Sequence, residues 1–148
     1  MAVWQYDLFV VGEGKTLLLS MDGGWDLPQF PTASTLSAQR TLVGSLDDPW
    51  LMGDDWVVFG SENSTRIDFI FNEADEVEIR VRLNASASEA DLNAVCTFVC
   101  ELSSRLFDPA TGTVLQPDCS SVATALAKSP AAMFARSPQS FLSGEQTN

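Results

Sequence analysis

TRIDFIFNEADEVEIRVRL, residues 65–83, decides the fold. Side chains alternate faces along a strand, so Ile67, Phe69 and Phe71 fall on one face with Val77, Ile79, Val81 and Leu83. Arg66, Asp68, Glu76, Glu78, Arg80 and Arg82 fall on the other. The NEAD segment at 72–75 supplies turn residues between two such runs, which reads as an antiparallel hairpin. Upstream, WVVFG at 56–60 adds a third strand through the turn segment SENS. The result is a β-meander with one dry face and one expected to be wet.

A dry sheet face needs a cover, and the sequence downstream offers one. Ser88 with Asp91 three residues later has the spacing of a capping box. After it, Leu92, Val95, Cys96, Val99, Leu102 and Leu106 recur at helical spacing, predicting one long amphipathic helix against the meander. Turn residues in RLFDPATGTVLQP (105–117) mark a bend or short strand. Asp118 then precedes a helix at about 119–127, and Ser129-Pro130 and Ser137-Pro138 each place a cap before proline at a first helical position, predicting short helices at 130–136 and 138–142.

At the other end, VWQYDLFVV (3–11) and KTLLLS (15–20) flank GEG and read as a second hairpin. Between Met21 and Asp55, Gly and Pro punctuate a stretch with little periodicity, apart from a short helix at about 35–43. The expected fold is α+β: an antiparallel β-meander packed on one long amphipathic helix, with short C-terminal helices. Residues 1–142 form one domain and 143–148 a polar tail.

At 148 residues and 45% hydrophobic content the chain can build one continuous core. It contains no run of about 18 apolar residues and no secretory leader pattern, so a soluble, cytoplasmic protein is expected. Eight basic against 20 acidic residues give a formal net charge of −12. That charge repels phosphate backbones and anionic lipid, arguing against nucleic-acid and membrane partners and for a basic protein surface. Acidity also serves plain solubility.

VVGEGKT at 10–16 ends in the Gly-Lys-Thr of a phosphate-binding loop. Such a loop needs its first glycine five residues before Gly14, where Phe9 stands, and a helix after it, where two glycines soon interrupt. Nucleotide binding is therefore not expected. Histidine is absent, which removes Ser-His-Asp and Cys-His catalysis. Cys96, Cys100 and Cys119 read as reduced, small hydrophobic residues too few for a metal site, although Cys119 stands near a helix start that could activate a thiol. No catalytic residue, cofactor or metal is expected.

The remaining candidates are acidic. Asp47 and Asp48, then Asp54 and Asp55, flank Trp50 in the irregular stretch, and Glu73, Asp75, Glu76 and Glu78 gather around the meander turn. An aromatic anchor rimmed by carboxylates suits a basic protein partner, whereas the plainer role for Trp50 is to pin a loop onto the core.

WVVFG, the hairpin TRIDFIF–EVEIRVRL and the helix with RLFDPATG after it resemble the small acidic immunity proteins that bacteria keep against toxins. The resemblance implies a non-enzymatic module that neutralises a toxin domain by direct binding. It carries over no set of functional residues. The competing expectation is a small-molecule-binding or enzymatic α+β domain with a pocket between sheet and helix. Self-association is a third.

Overall fold

The computed structural model describes residues 5–12, 18–19, 25–27, 29–62 and 64–136. The meander is present as β6 (Trp56–Phe59), β7 (Arg66–Phe71) and β8 (Glu76–Asn84). It is the centre of a larger antiparallel sheet that also includes β1 (Gln5–Gly12), β4 (Phe30–Pro31), β5 (Trp50–Gly53), β9 (Ser104–Asp108) and β10 (Thr113–Leu115). The order is β10-β9-β1-β8-β7-β6-β5. β4 continues alongside β8 at Val77 and Glu76, beyond the five residue pairs that β1 makes with β8.

The expected N-terminal hairpin does not form. β1 is inserted between β8 and β9, because its alternating Tyr6, Leu8 and Val10 extend the dry face laid out by Leu83, Val81 and Leu106. The short β2 (Leu18–Leu19) pairs instead with β3 (Trp25–Asp26) in a separate ribbon, and the Gly14-Lys15-Thr16 segment lies outside the described residues. The irregular stretch also has more structure than its composition suggests: β4, a 3₁₀ turn at Thr32–Thr35, the helix α1 (Leu36–Ser45) and the edge strand β5.

Helices α1, α2 (Glu89–Glu101), α3 (Cys119–Ala127) and α4 (Pro130–Arg136) cover one face. The α2 capping box forms in both directions, with Ser88 Oγ accepting from Asp91 N at 3.1 Å and Asp91 Oδ2 accepting from Ser88 N at 3.3 Å. The helix is shorter than expected, 13 residues. Ser103 takes a positive φ of 50° and reverses the chain, so Leu106 enters the core from β9 and not from a helix. Asp118 caps α3 and Ser129 caps α4 at the expected positions, while the helix expected at 138–142 and the tail lie outside the described residues.

Between the layers Phe69 meets Phe59 and Phe98 edge-on, at centroid distances of 5.5 and 5.7 Å, a preferred aromatic geometry. These rings pack with Leu8, Leu42, Ile79, Val95 and Val99 into one core cluster between sheet and helices.

Candidate functional site

The nine acidic and aromatic candidates do not form one patch. Gly53 pairs with Trp56, which makes Asp54 and Asp55 the two turn residues between β5 and β6. The backbone N–H of Phe71 donates to the carbonyl of Asp55 at 2.9 Å, so this turn abuts the β7–β8 turn. Asp54, Asp55, Glu73, Asp75 and Glu76 therefore share one end of the sheet, all exposed.

That end is held firmly. Asn72 Oδ1 accepts from the N–H groups of Ala74 and Glu76 at 2.9 and 3.1 Å, and Asn72 Nδ2 donates to Gln29 Oε1 at 2.6 Å. Thr32 N donates to the carbonyl of Asp75 at 2.8 Å, tying the turn to the start of the 3₁₀ segment. Asp75 itself sits at φ 58°, a left-handed conformation that Asp tolerates better than most residues. A loop built this way holds in place the backbone from which its carboxylates project.

Asp47 and Asp48 stand elsewhere. They precede β5, so they lie about 10 Å or more from Asp54 and Asp55 along the strand. Trp50 is on β5, half-buried, with its Nε1 donating to the carbonyl of Gly60 at 2.7 Å. It fastens the edge strand to the β6–β7 connection. Glu78 lies within β8 and is half-buried beside Arg80, whose Nε stands 2.7 Å from its carboxylate.

The face expected to be wet is in large part buried. Register aligns Trp50, Val58, Asp68, Arg80 and Phe9 across five strands, and Arg66, Arg82 and Asp7 in the neighbouring row. Val58 is fully buried, and Arg66 and Asp68 are only 2% and 1% exposed. Arg66 Nε and Asp68 Oδ1 stand 3.1 Å apart, at ion-pair distance but without hydrogen-bond alignment, while Arg66 Nη2 donates to Asp68 Oδ2 at 3.2 Å. Trp56 Nε1 donates to that same oxygen at 3.0 Å, and Arg82 Nε to Asp7 Oδ1 at 2.9 Å.

Burial raises the Asp68 carboxyl above its ordinary range, against the opposing pull of Arg66, the Trp56 indole and Arg82. Alternation places these residues on this face, and pairing is what allows their charges to leave water there. The Asp7–Arg82 partnership joins residues 75 positions apart and has no local signature.

Two further groups bear on chemistry. Tyr6 Oη donates to Asp108 Oδ2 at 2.6 Å, and burial together with that carboxylate raises the phenol above its ordinary value. Cys119 Sγ lies 2.7 Å from Asn93 Oδ1, and burial, reinforced by Cys119, pushes the Cys96 thiol up to about 12. Cys96 is thus a thiol and not a thiolate at neutral pH. Cys100 is exposed, contrary to the expectation of a buried hydrophobe.

Among the described residues no group of three or more Cys, Asp or Glu could hold a metal, and no helix is long and apolar enough to cross a membrane. Comparison with protein-family models, with curated proteins and with solved structures finds no match.

Proposed function

We propose that this chain is a non-enzymatic protein-binding module, an immunity protein that acts in the cytoplasm and neutralises a toxin domain by covering a basic surface. The observation that carries this reading is the gathering of Asp54, Asp55, Glu73, Asp75 and Glu76 on two abutting, hydrogen-bonded turns. Among the described residues none of the five takes part in an ion pair. Arg66, Arg80 and Arg82, the cations of the central strands, are engaged by Asp68, Glu78 and Asp7. The net field at that end is therefore negative, and carboxylates gathered on a hydrogen-bonded backbone steer a basic partner and bias its orientation. Packing of aromatic side chains into one core cluster between sheet and helices favours this over a ligand-binding domain.

The test is affinity capture from the source cells at low and high salt, with the wild type and with a variant in which the five acids are replaced by Asn or Gln. A single basic protein, toxic when expressed alone and bound at least about tenfold more weakly by the variant, is the expected result. Equal binding by both proteins would remove the acidic end from the interface and this reading with it.

A further inference from the structure

The other end of β5 borders an open cleft of about 260 Å³ between the C-terminus of α1, the β6–β7 connection and the first turn of α2. Its acidic walls are Asp47 and Asp91. Residues 44–46 bring the last turn of α1, where carbonyl groups lack intrahelical partners and the helix dipole is negative. Thr65 completes the lining. It is 2% exposed, and its Oγ1 has no hydrogen-bond partner among the described residues.

A buried hydroxyl without a partner costs stability, so its position in the wall of a cleft marks a place where a ligand atom satisfies it. Every strong electrostatic feature of this cleft favours a positive charge, and among the described residues no Lys or Arg lines it. The volume is several times the ~30 Å³ share of one water, which suits an extended side chain better than a single ion. Arginine fits this chemistry best: its planar guanidinium presents five donors to a site of carboxylates, carbonyls and hydroxyls.

We infer that this cleft is a receptor for one arginine side chain of the protein partner, a second contact that orients the partner relative to the acidic end. The inference rests on the proposed protein-binding function and adds a specific pocket to it. Asp91 already accepts a hydrogen bond from Ser88 N through Oδ2, which fixes its carboxylate at the rim. Trp50, by holding the Gly60 carbonyl, fixes the opposite wall.

The experiment uses the full chain, isotopically labelled, titrated with N-acetyl-arginine methylamide and followed by amide NMR shifts. Saturable shifts confined to Gly44–Asp47, Gly60, Thr65 and Asp91 are expected. The Asp47→Asn/Asp91→Asn variant should weaken them at least about tenfold. Asn at 91 keeps an acceptor for the helix cap, so the fold is retained and the spectrum itself verifies this. Thr65→Val, which preserves shape, should weaken binding several-fold. The neutral citrulline analogue should give no saturable shift.

Shifts spread over all exposed acids, insensitivity to the double substitution, or equal binding of citrulline would each overturn the inference. No partner enters this experiment, so its failure is distinguishable from that of the proposed function. If the cleft does not bind arginine while neutralising the acidic end still abolishes capture, the broader reading stands without the pocket.

Discussion

Asp68 shows how one residue can belong to a polar pattern and still be part of the interior. Its carboxylate is held by Arg66 and the Trp56 indole, and its partner Arg66 is equally buried. Removing one member of such a pair leaves an uncompensated charge, which typically costs about 3–5 kcal/mol, whereas replacing both by apolar groups is often close to neutral. Asp68→Leu alone, which leaves the buried Arg66 guanidinium and the Trp56 indole without an acceptor, should therefore destabilise the protein by about 3 kcal/mol in denaturant unfolding, and Arg66→Met/Asp68→Leu by clearly less. A single substitution milder than the double one would show that the pair does not act as a unit. The raised native pKa carries a pH consequence of fixed sign. The native state holds this proton at a higher pH than the unfolded chain, so ionised Asp68 counts against folding at neutral pH. That penalty is relieved as the pH falls through the native pKa toward the ordinary value near 3.8.

At the scale of elements, the connection from β6 to β7 is governed by Gly60, at φ 101°. A Cβ there would collide with the carbonyl oxygen of Thr65, and the backbone conformation is one that side chains rarely adopt. Gly60→Ala should cost about 1–3 kcal/mol in thermal or denaturant unfolding and loosen β5, since the Gly60 carbonyl is the acceptor that holds Trp50. An unchanged stability would mean that the turn is easily remodelled and that β5 is not fastened through it. Nothing in WVVFGSENST discloses that glycine's conformation, whereas Ser88 and Asp91 disclosed the start of α2, because a capping box is local and its spacing is its mechanism. The same contrast explains the rest. The meander was legible from alternation, and α3 and α4 from their caps. The placement of β1 between β8 and β9 was not legible, since several apolar strands could have completed that sheet. β5 was hidden by the Gly and Pro around it, and the end of α2 by Leu102 and Leu106, which keep helical spacing across the chain reversal at Ser103. Of the candidate site, the acids were legible as residues. Their division into an end cluster and a cleft depended on where β5 runs.

For the whole molecule, a net charge of −12 opposes folding and, under the proposed function, favours a basic partner. Three ion pairs among the described residues engage Asp7, Asp68 and Glu78, while the seven carboxylates flanking β5 and at the β7–β8 turn remain exposed without such partners. Their mutual repulsion opposes the compact state, and it is screened when the Debye length falls from about 30 Å at 0.01 M salt to about 8 Å at 0.15 M. Raising sodium chloride across that range should therefore raise the Tm by about 3 °C, corresponding to roughly 1 kcal/mol for a chain of this size. The gain should disappear near the pI of about 4.1, where the repulsion is gone. Capture of a basic partner should respond in the reverse sense over the same range, because the screening that relieves repulsion within the chain also weakens attraction between chains. A Tm that falls with salt would show that the half-buried pairs Arg82–Asp7 and Arg80–Glu78 contribute more than the repulsion among the unpaired acids. The acidic end would then be a stabilised surface and not one held ready for a cationic partner.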